Sequence, residues 1–263
     1  DFFAKSKIEK KIKKKFKVIT ALSVFYDAEA PNKFLSDVEK LLEDDGIFIL
    51  EHADLSSIIK LKMFDTICHE HLEYYSHRVI INLLKKNNLE LFDFSLNDIN
   101  GGSTQYYIKK IKSKKYKTNN LKIKKLLKKE NFLNLNKVET FKKFFNKIKK
   151  IKFDLITILK KLKTNNKIIH GYGASTKGNV LLQYFGIDKK YLDVISDRNP
   201  KKNGFYTPNF KIKIVKEEYS RNLKPDYYLV LPWHFKKEIL IREKRIRRHG
   251  TKFIFPLPKV TVN

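Results

Sequence analysis

Two α/β lobes joined by a helical segment are predicted by three observations. Short apolar runs alternate with amphipathic stretches near the start of the chain; a lysine-dense stretch nearly free of Gly and Pro follows; and a fresh strand, glycine turn and helix begin near Lys167. Hydrophobic residues make up 42% and aromatic residues 13% of the 263 positions, which is enough to fill real cores and excludes a disordered chain. The expected divisions are 1–108 for the first lobe, 109–163 for the helical segment and 164–263 for the second lobe.

Taken in order, Phe16-Lys17-Val18-Ile19-Thr20-Ala21-Leu22 is a short apolar run suited to a buried parallel strand. Pro31 opens a helix in which Phe34, Val38, Leu41 and Leu42 recur at helical spacing. Asp44-Asp45-Gly46 is expected to end that helix, and Ile47-Phe48-Ile49-Leu50 to form the next strand. Residues 89–94 and 105–108 read as a strand pair joined through Asn100-Gly101-Gly102. Strand, helix, strand and terminal pair suit the second half of a doubly wound sheet. Leu121, Ile123, Leu126 and Leu127, then Phe141, Phe144, Phe145 and Ile148, mark two amphipathic helices. In the second lobe, Ile168-Ile169-His170 is a strand leading into Gly171-Tyr172-Gly173-Ala174, after which Ser175 can cap a helix through Leu182. Residues 192–196, 227–231 and 253–255 are further strands.

The net charge is +29, from 57 Lys plus Arg against 28 Asp plus Glu. Such a balance fits either an electrostatic footprint for a polyanion or a drift in composition toward Lys, Asn and Ile. Arg is rare and the lysines scatter, so drift accounts better for the pattern and a nucleic-acid partner is not expected. The single cysteine, Cys68, excludes an internal disulfide framework and fits a reducing, cytoplasmic setting. No apolar run approaches the roughly 18–20 residues of a membrane span. The chain begins at Asp1 with a half-formed helical pattern, which is read as truncation or processing.

Two stretches carry chemistry. Residues 64–76, Phe64-Asp65-Thr66-Ile67-Cys68-His69-Glu70-His71-Leu72-Glu73-Tyr74-Tyr75-Ser76, crowd histidines, carboxylates and tyrosines just beyond a strand, at the carboxyl edge where open α/β sheets place ligands. General acid–base work fits, with a histidine near neutrality and a carboxylate to fix its tautomer. A metal site from Cys68, His69, His71 and His77 is a second reading, but the i, i+2 histidine spacing misses the helical i, i+4 arrangement, and no metal is assigned. A polar loop with satisfied histidines is the third. The other stretch, 170–178, sets glycines between a strand and a helix, where backbone N–H groups can approach a phosphate. A tight structural turn explains it equally well. Ser196-Asp197-Arg198-Asn199-Pro200 follows the next strand at the same sheet edge.

These stretches together resemble the sugar C-methyltransferase family of deoxysugar pathways. The matching residues are Val24-Phe25-Tyr26-Asp27, Asp45-Gly46-Ile47-Phe48-Ile49-Leu50-Glu51, Phe64-Asp65-Thr66-Ile67, His69-Glu70-His71, Tyr75-Ser76, Gly101-Gly102-Ser103, residues 171–178 and residues 196–204. The resemblance implies an S-adenosyl-L-methionine-dependent C-methyltransferase acting on a nucleotide-diphosphate-linked 4-keto-deoxysugar. Its fold would be a partial class I methyltransferase sheet followed by a second Rossmann-like domain. His71 would be the base, with Glu70 as orienter or proton partner and His69 beside them. Ala21, Leu22, Ser23 and Val24 would line the cofactor, and Tyr75, Gly173, Ser175, Lys177 and Arg198 the substrate. Cys68 stands where the family carries a tyrosine. The family's zinc-binding module, glycine-rich cofactor loop and acidic ribose partner have no counterpart here. Zinc is therefore expected only in a missing N-terminal part, and a complementing N-terminal fragment is an expected partner. The basic field would help to hold an anionic nucleotide-sugar.

Overall fold

A computed structural model describes residues 3–263. The chain divides into two compact units: Asp1–Lys60 with His69–Phe141, and Leu61–Cys68 with Lys142–Asn263.

The first unit runs α1 (Lys5–Glu9), β1 (Phe16–Leu22), α2 (Pro31–Leu41), β2 (Leu42–His52), α3 (Leu55–Leu61), α4 (His77–Lys86), β3 (Leu89–Asn97), β4 (Ser103–Lys110) and α5 (Asn120–Asn131). Its sheet has the order β1-β2-β4-β3, with β1 and β2 parallel and β4 antiparallel to both of its neighbours. The strand, helix, strand and terminal pair expected of the second half of a doubly wound sheet are present, the last two as an antiparallel hairpin whose second strand lies against β2. The core forms because strand and helix periods agree. Phe48 and Leu50 alternate onto one face of β2, and Leu35, Val38 and Leu41 share the buried stripe of α2. Ser76 starts α4 by accepting the Val79 N–H at 3.3 Å, and Ile80 and Leu84 bury its inner face.

Two expectations change here. The first strand is not buried: β1 is the outermost strand of its sheet, and Val18 and Leu22 are about half exposed. Asp44-Asp45-Gly46 does not end the helix. It lies inside β2, where the register with β1 jumps from Phe16↔Leu42 to Val18↔Ile47. The bulge is stabilised by Lys110 and Lys112 on Asp44, at 3.2 and 3.0 Å, and by the Ser113 hydroxyl on Asp45, at 2.8 Å. A Cβ at Gly46 would come within 2.8 Å of the Leu42 side chain, so a larger residue there would have to push Leu42 aside.

The second unit contains most of α6 (Val138–Thr164), then β5 (Ile169–Tyr172), α7 (Thr176–Phe185), β6 (Ile195–Asp197), β7 (Ile214–Lys216), α8 (Glu217–Asn222), β8 (Tyr227–Val230), α9 (Lys236–Arg242), α10 (Lys244–Arg248), β9 (Lys252–Phe255) and β10 (Thr261–Val262). Its sheet order is β10-β9-β8-β5-β6-β7, parallel except for β10. The chain winds outward from β5 to β7, then returns to lay β8 on the other side of β5. The order therefore reverses between β5 and β8, and ligands bind at such a reversal. The helical segment expected at 109–163 is divided, α5 falling in the first unit and most of α6 in the second. Among the described residues no helix is long and apolar enough to cross a membrane.

Candidate functional site

In the first unit, the parallel pair brings the carboxyl ends of β1 and β2 to one edge. The chain leaves β1 through Ser23, held at a φ of 55° with its N–H donating to the Glu51 carbonyl at 2.8 Å. Fully buried Phe25 then pins a short turn over 25–27. Onto this turn docks the stretch that follows His71: the N–H groups of Leu72 and Glu73 both donate to the Tyr26 carbonyl at 3.1 Å. The His71 ring, half-buried, lies 4.4 Å from the Tyr26 ring. Burial raises the Asp27 carboxyl above its ordinary range, while the His71 charge lowers it and Glu70 raises it, so Asp27 lies within electrostatic reach of both. His69 and Glu70 are exposed. The result is a half-buried imidazole against the Tyr26 ring with the Asp27 carboxyl within electrostatic reach, a setting in which a general base can work.

Of the residues expected to line a cofactor, Leu22 and Val24 are about half exposed, Ser23 forms the turn, and Ala21 is buried in the core. Beside them a groove of about 500 Å³ is lined by Val24, Asp27, Ala28, Lys33 and Phe34, among others. Tyr75 lies in the core, not on the open surface. Its ring stacks on Phe25 at 5.2 Å, its hydroxyl has no hydrogen-bond partner, and burial pushes its pKa up to about 12, with Glu73 adding to the shift. His77 is also structural. Its Nδ1 is 2.8 Å from the Tyr106 hydroxyl, and its backbone N–H donates to Glu130 at 2.6 Å. Among the described residues no three His, Cys, Asp or Glu side chains gather as a metal site would require.

The sequence reading missed several groups at this edge. Glu51 accepts from Asn97 at 2.9 Å and Gln105 at 2.8 Å, and Asn100 donates to the Ser23 hydroxyl at 3.1 Å. His52 is fully buried 5.9 Å from the Tyr75 ring; its Nδ1 is 3.1 Å from the Ala53 carbonyl, its Nε2 has no partner, and burial lowers its pKa. Asp27 was legible only as part of Val24-Phe25-Tyr26-Asp27; its place beside His71 comes from the fold.

In the second unit a cleft of about 490 Å³ opens at the reversal between β5 and β8, lined by Tyr172, Gly173, Asp197, Arg198, Glu217 and Arg242, among others. Gly173 has a φ of +83°, and a Cβ there would meet Pro232 at 2.7 Å. Ser175 is occupied as the cap of α7, accepting the Gly178 N–H at 3.0 Å. Of the two readings of the glycine turn, the structural one accounts for Ala174, whose N–H donates to Asp197 at 2.7 Å. Lys177 does not line the cleft. It is largely buried within reach of Asp65 and Cys68, and burial lowers its pKa while Asp65 opposes the shift. The cleft wall is tied together by ion pairs. Arg242 donates to Glu217 and to the Tyr172 hydroxyl, Tyr172 donates to Glu243 at 2.8 Å, and Arg221 pairs with Glu243 at 2.6 Å.

A family model described as C-methyltransferase C-terminal domain matches residues 98–258. The chain belongs to this family. The matched range of the C-methyltransferase C-terminal domain begins in the turn before β4, takes in α5 and nearly all of the second unit, and leaves His71 outside it. The chain is also similar to the C-methyltransferase NovU of Streptomyces niveus, 29% identical over 233 residues, which is 88% of this chain and 54% of NovU. It thus spans about half the length of that curated relative. Among solved structures it is similar to the mitomycin 7-O-methyltransferase MmcR, with 14% identity, a TM-score of 0.31 and coverage of 38% of this chain and 31% of that one. It is similar also to magnesium protoporphyrin IX methyltransferase (ChlM) from Synechocystis PCC 6803 with bound SAH, with 13% identity, a TM-score of 0.29 and coverage of 37% and 46%.

Proposed function

We propose that the chain serves S-adenosyl-L-methionine-dependent C-methylation of a nucleotide-linked 4-keto-deoxysugar, with His71 as the base. The observation that carries this reading is the half-buried His71 ring against Tyr26, within electrostatic reach of Asp27, at the carboxyl edge of a parallel pair. The proton beside a ketone is acidic because its electrons can move onto the carbonyl oxygen. His71 takes that proton, leaving an enolate whose carbon is the nucleophile. Asp27 and Glu70 stabilise the imidazolium and hold the tautomer, and the Tyr26 ring shields one face from water. His69, exposed beside them, passes the proton to solvent.

When bound, the cofactor supplies an electrophilic methyl group. Leu22 and Val24 offer apolar surface for one wall of its site, with Ser23 between them and Ala21 as the floor beneath. In the second unit, Gly173 and Arg198 open onto the cleft, which suits a nucleotide, and Ser175 and Lys177 begin the helix that follows the glycine turn. Tyr75 supports the substrate side from within the core. Zinc belongs with the part of the relatives that this chain does not span.

In a version completed with a relative's N-terminal half, His71→Ala is expected to lower methyl transfer by about a thousandfold, within the usual range for a lost general base, without loss of folding. Near-normal turnover of that variant would overturn the assignment. One observation favours a second reading, a non-catalytic protein that retains nucleotide-sugar binding: the matched family range, 98–258, takes in the second-unit cleft and leaves His71 out. Calorimetry of the chain with S-adenosyl-L-methionine separates the two, because micromolar binding contradicts the second.

A further inference from the structure

Three buried side-chain atoms of the first unit have no hydrogen-bond partner among the described residues: His52 Nε2, the Ser56 hydroxyl and the Tyr75 hydroxyl. Each belongs to a residue more than nine-tenths buried. They lie where three elements meet. His52 ends β2, Ser56 is in the first turn of α3, and Tyr75 comes just before the Ser76 cap of α4. The backbone already joins two of these places, the Leu55 N–H donating to the Tyr75 carbonyl at 2.9 Å. The His52 ring is enclosed by tyrosines, 5.5 Å from Tyr106, 5.9 Å from Tyr75 and 6.3 Å from Tyr26. A buried donor or acceptor left bare costs at least about fivefold in the folding equilibrium, so three in one unit need a physical reason.

The surroundings fix what each atom can do. His52 Nδ1 is 3.1 Å from the Ala53 carbonyl, which can only accept, so Nδ1 carries the ring proton. Burial lowers the pKa of this ring, which stays neutral, and Nε2 is therefore a bare acceptor. Burial, with Glu73 adding to it, pushes the Tyr75 hydroxyl up to about 12, so the phenol keeps a hydrogen to donate. The Ser56 hydroxyl can do either. An acceptor, a donor and a group able to act as both match the two hydrogens and two lone pairs of one water molecule. We propose that a single buried water joins them, accepting from Tyr75, donating to His52 Nε2 and bonded a third time to Ser56. A carboxylate or phosphate oxygen cannot fill this place, because it has no hydrogen for His52. A cation cannot, because the phenol offers it a hydrogen. The site is internal, so its occupant is solvent and not substrate, and it stands apart from the reading of His71. Its effect is to pin Tyr75 by hydroxyl as well as by carbonyl, tying the end of β2 and the start of α3 to the approach of α4.

Urea unfolding of the 263-residue chain tests the site through a sign. If the atoms were bare, Tyr75→Phe would delete a buried donor that bonds nothing, and the chain would gain stability. With the water in place the same change removes a made bond, and the folding equilibrium constant is expected to fall about fivefold. His52→Leu keeps the bulk and removes the acceptor. In the double variant the loss is expected to be about threefold smaller than the product of the two single losses, because one water links the pair. Should His52→Leu leave too little folded chain to measure, the wild type decides by nuclear magnetic resonance: a long-lived water is expected to give an Overhauser cross-peak to a ring proton of His52. A Tyr75→Phe chain as stable as the wild type or more stable, single losses that multiply without coupling, or a His52 ring with no water cross-peak overturns the site.

Discussion

The two sheet edges treat their polar groups in opposite ways. Along the cleft of the second unit, Arg221, Arg242, Glu217, Glu243 and Tyr172 bond one another, and Asp197 fills the amide of the glycine turn. At the edge of the first unit, His69 and Glu70 are exposed, and His71 is held by a ring contact and by the backbone just after it. A network satisfied from within mainly sustains its own shape, because breaking it leaves buried charges unpaired. Groups left open to solvent contribute little to the shape and are available to exchange protons with something else. Mutations should therefore fall on stability at one edge and on chemistry at the other.

The largest stability effect is expected from Glu243→Ala, which strands Arg221, Arg242 and the Tyr172 hydroxyl at once; urea unfolding should show a loss of about 3 kcal/mol, the low end for a broken buried pair because the arginines are partly exposed. Asp65 should follow, through pH. Burial raises its pKa from 3.8 to about 6, with Lys177 and the Trp233 bond opposing. A carboxyl raised on folding holds more protons folded than unfolded, so its contribution is most favourable below pH 4 and declines as pH climbs through 6. The decline amounts to about 3 kcal/mol. Asp65→Asn should remove that slope. His234, pushed down to about 4 by burial and then by Lys177, slopes the opposite way below its ordinary 6.5, so the difference between wild type and variant isolates Asp65. Gly173→Ala should cost about 2 kcal/mol, from a left-handed backbone and the contact with Pro232. His71→Ala should change stability by less than about 0.5 kcal/mol, as for an open surface site. A drop of several kcal/mol there would erase the contrast between the edges.

Where period and burial coincide, the sequence was readable. The apolar stripe of α2, the alternation around Phe48 and Leu50, the strand pair through Asn100-Gly101-Gly102, and the cap at Ser175 all sit where local pattern places them. Short edge elements were not readable: β7 has three residues and β10 two, too few for a period to show. Asp44-Asp45-Gly46 misled because the same residues that end a helix also build a bulge. At the site, the histidine-rich stretch and the glycine turn were visible as motifs. Their partners were not, because nothing local links Asp65 to Trp233 or Ala174 to Asp197, which lie on separate elements. Lys177 was expected at the substrate through the resemblance alone, and the fold instead sets it within electrostatic reach of Asp65 and outside the cleft lining.

Among the described residues the outer flank of β1 pairs with no strand, and this has a consequence for how such an edge behaves in a crowded solution. Its outer backbone groups, with Val18 and Leu22 bare beside them, form a template on which another extended chain could zip. Lys13, Lys14, Lys15 and Lys17 stand exposed at that flank, so a second copy would arrive carrying the same charges. Like repels like, and the margin that invites a foreign strand turns away its own kind.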